Sequence, residues 1–138
     1  MPKTIVTGYD GSSGGREALA EALRLARETD ARVIALYIYE KVVVGGESHD
    51  LDEAVESLGE EMLAEAGAEA EGSGVQLTTE YIEGPAAETL AAVAEREQAS
   101  YIVVGGNGER PLKAWALGTT ANKLLALASC PVVVVRAE

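Results

Sequence analysis

The chain has 138 residues, 47% of them hydrophobic, which predicts a single folded domain over residues 1–138 and excludes extensive disorder. The formal net charge is −12, from 23 acidic and 11 basic residues, and it excludes nucleic acid as the expected partner, because phosphate contacts require clustered Lys and Arg. No segment approaches the roughly 20 apolar residues that span a bilayer, and no secretory signal is evident. The single cysteine, Cys130, predicts no intrachain disulfide. We therefore expect a cytoplasmic protein that does not insert into a membrane.

The first third of the chain has the pattern of a strand, a helix and a second strand. Residues 3–9 form a short extended run that ends in the turn Asp10-Gly11-Ser12. Residues 13–27 carry apolar side chains at helical spacing, and residues 32–39 are almost continuously apolar. Such continuity is typical of a strand covered on both faces in a parallel sheet. A right-handed crossover is expected to join the two strands.

The middle of the chain predicts a covering helix, an outer strand and another helix. Residues 51–71 are rich in alanine and glutamate, and one helical face carries Leu51, Val55, Leu58, Met62 and Ala66. Residues 75–82 alternate enough to form a strand nearer the sheet edge. A helix is expected over residues 86–98, with Pro85 at an early helical position where its missing N–H does no harm. The only histidine, His49, lies in a predicted loop without a Cys or His partner, so a metal site there is not expected.

The most informative stretch covers residues 101–120. A buried strand is predicted over Tyr101 to Val104, and Gly105-Gly106 follows it directly. Ligands of α/β sheets bind beyond the carboxyl ends of strands, where Gly105 and Gly108 can expose N–H groups to an anion. Gly118-Thr119-Thr120 can then open a helix whose first N–H groups face a phosphate. The alternative is that these glycines serve only as turn and cap residues.

The last elements complete the predicted fold. Cys130 is expected to be a buried packing residue, and Val132–Val135 forms a final strand. Five strands alternating with about four helices predict a doubly wound five-stranded parallel sheet sandwiched by helices. No glycine of the loop is followed by Lys-Ser or Lys-Thr as a P-loop requires, and Pro111 stands where a dinucleotide fingerprint needs its third glycine. An ordinary P-loop NTPase and a Rossmann dehydrogenase are therefore not expected.

Asp10 follows the first strand and has two interpretations. Its carboxylate can accept hydrogen bonds from ribose hydroxyls or assist a metal ion at the sheet edge. Alternatively, it caps the next helix or closes a turn with Gly11, as Asp often does. The residues by themselves favour the second interpretation.

The glycine spacing resembles a known signature. Gly-x2-Gly-x9-Gly-Thr at residues 105–119 is similar to the nucleotide-binding signature of the ATP-binding branch of the universal stress protein family. Asp10-Gly11-Ser12 and the turn Gly84-Pro85-Ala86 also resemble that family, so the resemblance covers nearly the whole chain. It implies an adenine nucleotide alpha-hydrolase-like (Rossmann-like) fold. It also implies a regulatory module that binds ATP and acts in stress response through nucleotide-dependent dimer or partner interactions.

The resemblance also implies which residues hold the nucleotide. They are Gly8, Tyr9, Asp10, Ile38, Gly105, Gly106, Asn107, Gly108, Gly118, Thr119, Thr120 and Ala121. Adenine is expected near Asp10 and Ile38, and the phosphates on the N–H groups of the glycine loop and of the following helix. Mg²⁺ or Mn²⁺ is expected to accompany the phosphates, with Asp10 as the nearest protein carboxylate. The resemblance further implies a homodimer that pairs through Val132–Val135.

Two departures from the family pattern leave alternatives open. Glu109 places a carboxylate where it would repel an outer phosphate, and Pro111 removes one backbone donor. ADP or AMP is therefore an alternative to ATP, and a dimeric scaffold with an altered or empty site is an alternative to a nucleotide-binding module. Glu109, Arg110 and Lys113 form no recognisable catalytic set, so any ATPase or self-phosphorylating activity is expected to be slow.

Overall fold

The computed structural model describes residues 3–39, 49–106 and 118–136. Strands and helices alternate along the chain in the predicted order. They are β1 Lys3–Gly8, α1 Ser13–Thr29, β2 Ala31–Tyr39, α2 His49–Glu71, β3 Leu77–Glu83, α3 Ala86–Arg96, β4 Tyr101–Gly105, α4 Thr119–Leu127 and β5 Val132–Val135.

The strands form one sheet in the order β3-β2-β1-β4-β5. Each neighbouring pair is parallel, with Gly8 opposite Leu36 between β1 and β2, and Thr7 opposite Val103 between β1 and β4. The predicted five-stranded parallel sheet is thus confirmed. The chain moves outward from β1 to β3 and then returns to place β4 on the other side of β1. A crevice for ligands is expected at the carboxyl ends of these two strands, because the direction of winding reverses between them.

Apolar side chains cover both faces of the sheet. One cluster lies beneath α3 and α4 and includes Val6, Ile34 and Ile102. The other lies beneath α1 and α2 and includes Ile5 and Val103. Successive residues of a strand point to opposite faces, so a sheet with two apolar faces requires nearly continuous apolar strands. This requirement explains the composition of β1, β2 and β4.

Several predicted boundaries are shifted. Helix α2 begins at His49, which the sequence placed in a loop. Helix α3 ends at Arg96, short of the predicted Gln98, because Gln98 adopts the left-handed φ of 51°. Pro85 occupies the N-cap position of α3 in an extended conformation, so it precedes the helix. The helical stretch predicted from residue 112 is seen only as α4, since residues 107–117 lie outside the described residues.

The prediction that Leu58 faces the core is wrong, because the side chain is 46% exposed. The neighbouring Gly59 is buried instead, and the ring of Tyr81 packs against it. Farther along α2, Ala66 is fully buried as expected. Among the helices of the described ranges, none is long and apolar enough to cross a membrane.

Candidate functional site at the carboxyl edge of the sheet

A cleft of about 210 Å³ opens at the carboxyl ends of β1 and β4, next to the opening turns of α1, α3 and α4. Most of the described residues that the sequence assigned to a site line this cleft. They are Gly8, Tyr9, Asp10, Ile38, Gly105, Gly118, Thr119, Thr120 and Ala121. The fold therefore brings together segments that lie more than a hundred residues apart in the chain. Asn107 and Gly108, which were assigned to the same site, lie outside the described residues.

Gly106 does not have the role that the sequence suggested. Its N–H donates to the carbonyl of Val135 at 2.9 Å and so is not available to a phosphate. Its own carbonyl accepts a hydrogen bond from the N–H of Gly118. The residue therefore connects β5 with the start of α4, and it does not line the cleft.

The N-terminus of α4 faces the cleft. Gly118 is the N-cap residue, with φ −66° and ψ 165°, and it provides no side-chain hydrogen bond to the helix. The first N–H groups of a helix have no partner within it, and the helix dipole makes this end positive. Thr119, Thr120 and Ala121, the residues that carry these N–H groups, line the cleft. Such an arrangement suits an anionic group.

Asp10 is held in place by Ser12. One carboxylate oxygen, Oδ1, accepts hydrogen bonds from the Ser12 N–H at 3.0 Å and from the Ser12 hydroxyl at 2.5 Å. Ser12 is itself the N-cap of α1, because its Oγ accepts from the N–H of Gly15 at 3.1 Å. Asp10 is therefore not the cap of α1, but its bond from the Ser12 N–H closes the turn over Gly11, which is the other part of the interpretation that the residues alone favoured. Its carboxylate stands at the rim of the cleft and supports the capping residue.

Strand β2 has a backbone edge at the cleft that pairs with no strand in the part of the chain that the structure describes. The carbonyl of Leu36 accepts from the Tyr9 N–H at 2.8 Å and so points toward β1, whereas that of Tyr39 accepts from Gly84 on the other side at 2.8 Å. Alternate residues of a strand direct their backbone groups to the same side. Ile38 therefore directs its N–H and C=O toward the β1 side, beyond the last β1–β2 pair, Gly8 and Leu36. Ile38 therefore presents one hydrogen-bond donor and one acceptor to the cleft.

Tyr9 contributes its backbone to the cleft, while its side chain belongs to the cluster beneath α1 and α2. The phenol donates to Glu65 of α2 at 2.5 Å, and Arg16 pairs with the same carboxylate at 2.8 Å. Burial raises the pKa of Tyr9, and the bond to Glu65 adds to the effect. The pKa of Glu65 is lowered, first by the bond from Tyr9 and then by Arg16. Tyr9 thus anchors the end of β1 against α2.

Some lining residues were not predicted. They are Ser12, Gly14, Gly15, Leu36, Ala86, Leu90 and Val104. Position 105 requires a glycine because α1 lies close to β4 there. A Cβ on Gly105 would lie only 2.9 Å from the carbonyl oxygen of Gly14. Ala86 and Leu90 have the pattern of an ordinary apolar helix face, and nothing in the sequence relates them to Gly8. Leu90 would nevertheless lie 3.7 Å from a Cβ on Gly8.

The cleft is mainly apolar on its inner side and polar at its rim. Leu36, Ile38, Leu90 and Val104 form the apolar side, and Asp10 is the one charged side chain among its described lining residues. No group of three or more His, Cys, Asp or Glu side chains positioned to hold a metal occurs in the described ranges. The described residues fit a cation only as a partner of a bound anionic ligand, because Asp10 alone supplies a carboxylate.

Comparison with known proteins identifies the family. The model of the universal stress protein family matches residues 1–136. Universal stress protein MJ0531 of Methanocaldococcus jannaschii is 35% identical over 139 residues, covering 97% of this chain and 82% of that protein. The crystal structure of a universal stress protein family member from Burkholderia pseudomallei has a TM-score of 0.80 and 27% identity, with 98% of this chain and 96% of that chain covered.

A second similar structure is described as a universal stress protein in complex with cAMP. Its TM-score is 0.78 at 22% identity, and the match covers 99% of this chain and 98% of that chain. This likeness establishes the shared fold. Since the family model covers nearly the whole chain and a relative above 30% identity does the same, the chain belongs to the universal stress protein family.

Proposed function

We propose that the chain binds an adenine nucleotide in this cleft and acts as a regulatory module in the stress response. Nucleotide binding would control contacts with a second copy or with another partner. One observation carries the proposal: the N-terminus of α4, to which Gly118 gives no side-chain cap, and the backbone edge of Ile38, beyond the last described β1–β2 pair, meet in one cleft. The universal stress protein with cAMP bound supports it, because that ligand is an adenine nucleotide.

The inner part of the cleft suits the base. The N–H and C=O of Ile38 complement the adenine edge, which presents a ring nitrogen acceptor beside an amino donor. Leu36 and Leu90 supply apolar surface for the ring, and Ala86 is too small to fill the space. Ligand sites commonly combine such apolar walls with a few placed polar groups.

The outer part suits the sugar and the phosphates. Asp10 stands where ribose hydroxyls would lie, and the N–H groups of Thr119 and Thr120 receive a phosphate. The described lining residues include neither Lys nor Arg, so Mg²⁺ or Mn²⁺ is the proposed partner of additional phosphate charge. The proposal covers ATP, ADP and AMP. Glu109 and Pro111, the two residues expected to weaken binding of the outer phosphate, lie outside the described residues.

The test is calorimetric titration with ATP, ADP and AMP, each with and without Mg²⁺. Gly118→Leu introduces a side chain at the mouth of the phosphate site, and its φ of −66° accepts any L residue. We expect this variant to bind at least about tenfold more weakly, which corresponds to the loss of about 1.4 kcal/mol. Gly72→Leu is the matched control, because a Cβ at Gly72 meets nothing within 4 Å.

Each result of the titration separates one interpretation from another. Binding by the wild type and by Gly72→Leu, but not by folded Gly118→Leu, supports the proposed phosphate site. Tighter binding of ADP or AMP than of ATP would indicate that the outer phosphate is excluded. Absence of binding to the folded wild type would reject nucleotide binding and favour a dimeric scaffold.

We further propose that two copies associate through β5. This strand forms one edge of the sheet, and its four valines are all half-buried within one chain. Leu125 and Leu127 of the preceding helix are 58% and 48% exposed. An open edge with apolar side chains is usually covered in a native protein, and a second copy of the same strand would cover it.

A further inference from the structure

We infer that Gly15 is a positioning residue for the sugar end of the cleft, and that through it the site selects nucleotides with free ribose hydroxyls. Gly15 has this effect because its missing side chain leaves the space that the Asp10 carboxylate occupies. The inference rests on the proposed nucleotide binding and concerns the same cleft.

The space around Gly15 is limited by Asp10. A Cβ on Gly15 would lie 2.6 Å from Asp10 Oδ1, 3.2 Å from the Asp10 nitrogen and 3.4 Å from Ser12 Oγ. The first distance is shorter than any carbon–oxygen contact that a folded protein keeps. Since Oδ1 ends a short flexible side chain, an alanine here would displace the carboxylate and leave the helix intact.

The helical conformation of Gly15 gives no reason for a glycine. Gly15 is the third residue of α1, and its φ lies outside the left-handed region. Glycine costs a helix about 1 kcal/mol relative to alanine, so the sequence accepts a local disadvantage here. The neighbouring Gly14 differs, because its Cβ would be 3.9 Å from the nearest atom of Gly105. The tight contact with the carboxylate is thus specific to Gly15.

The carboxylate has a defined orientation as a result. Ser12 binds Oδ1 through both its N–H and its hydroxyl, and these bonds orient the whole group. Oδ2 is then the oxygen presented to a ligand. A carboxylate oxygen only accepts hydrogen bonds, so it recognises donors such as the hydroxyl groups of ribose and gains nothing from a sugar that lacks them.

The experiment compares AMP with 2′,3′-dideoxy-AMP by calorimetry, using the wild type, Gly15→Ala, Asp10→Ala and the double variant. We expect Gly15→Ala to weaken AMP binding about tenfold, the usual cost of losing a hydrogen bond to a charged group, and to leave dideoxy-AMP binding unchanged. In the Asp10→Ala background, the second substitution should add no further loss. The melting temperature of Gly15→Ala should equal or exceed that of the wild type.

Gly67→Ala is the matched control, because it makes the same change inside α2, where a Cβ meets nothing within 4 Å. It should raise the melting temperature without altering the preference for AMP. Equal weakening of both nucleotides by Gly15→Ala, or a further loss in the Asp10→Ala background, would show that the new methyl group blocks the ligand directly. Either result overturns the inference.

A crystal structure of Gly15→Ala without ligand separates this inference from the proposed function. The distance from Asp10 Oδ1 to the Ser12 nitrogen is 3.0 Å in the wild type and should exceed hydrogen-bond length in the variant. An unchanged distance would refute the positioning role even if nucleotides bind. A wild type that binds neither nucleotide would refute the proposed function and with it the selection of ribose. A displaced Asp10 carboxylate in the crystal structure of Gly15→Ala would still show that Gly15 positions this group.

Discussion

Among single residues, Gly59 and Gly67 of α2 have opposite relations to their surroundings. A Cβ on Gly59 would lie 2.3 and 2.5 Å from carbons of the Tyr81 ring and 3.1 Å from Tyr37, whereas one on Gly67 meets nothing within 4 Å. Tyr81 has little room to move, because its ring centroid is 5.7 Å from that of Tyr37 and 4.4 Å from that of Tyr39. The same substitution should therefore have opposite effects at the two positions.

We expect Gly59→Ala to lower the free energy of unfolding by about 1–3 kcal/mol, the typical cost of overpacking. Gly67→Ala should raise it by up to about 1 kcal/mol, because alanine is the better helix former. Urea unfolding followed by circular dichroism measures both values. A stabilised Gly59→Ala variant would show that the tyrosine rings do not fix the position of α2.

At the scale of secondary-structure elements, an ion-pair network connects three strands with the end of α3. Arg32 of β2 binds Glu97 at 2.8 Å and donates to Thr4 of β1 at 3.0 Å. Arg96 binds Glu97 at 3.0 Å and Glu80 of β3 at 2.8 Å. Hydrogen bonds from Arg96, and then from Arg32, lower the pKa of Glu97. The network lies at the opposite end of α3 from the cleft.

The lowered pKa predicts a defined pH dependence. An ionised carboxylate favoured in the folded state adds stability above its ordinary pKa of 4.5, and this contribution is lost as the pH falls through the lower folded value. Glu97→Gln should therefore be less stable than the wild type at neutral pH, and the difference should shrink below about pH 4. Urea unfolding at several pH values tests this. Glu95→Gln, an exposed position on the same helix, is the control and should show a much smaller difference.

The elements also show what the sequence could and could not predict. The apolar runs of β2 and β4 identify buried strands, because a strand covered on both faces is apolar at nearly every position. Gly118 correctly marked the start of α4. The face of α2 was predicted wrongly at Leu58, because Tyr37 and Tyr81 on neighbouring strands pack against Gly59.

For the candidate site, too, the sequence predicted some contributions and missed others. The turn after β1 and the opening of α4 were recognisable because their residues have unusual types and spacings. The contributions of Ala86 and Leu90 depend on where α3 packs, and an apolar helix face has the same pattern wherever it lies. The use of the Gly106 N–H by Val135 likewise depends on a strand pair that forms only in the folded sheet.

For the whole molecule, the open edge of β5 predicts how association can be disrupted without unfolding the chain. The carbonyls of Pro131 and Val135 accept hydrogen bonds from Ile102 of β4 and from Gly106 just after it. Those of Val132 and Val134 therefore face away from β4, together with their N–H groups. Proline at position 134 removes an outward N–H and spares the β4–β5 ladder. Proline is tolerated in sheets at edge positions of this kind.

We expect Val134→Pro to be folded and to weaken self-association by at least about tenfold, while Val134→Thr keeps the N–H and associates like the wild type. Sedimentation equilibrium measures the association constants. A net charge of −12 on each copy opposes association, so both proteins should be compared at the same salt concentration. Equal association of the two variants would exclude β5 as the interface.

Gly106 gives this molecule a direct mechanical connection between its two proposed contacts. Its N–H is bonded to the last residue of β5, and its carbonyl is bonded to the N-cap of α4. We therefore expect a ligand that shifts Gly118 to shift also the end of the strand where a second copy would pair. If the ligand changes the association constant of the two copies by some factor, pairing changes the affinity for the ligand by that same factor, because the coupling between two binding sites is reciprocal. An apparent Kd measured on dilute protein would differ from one measured on concentrated protein, so the cell could adjust the response by abundance alone.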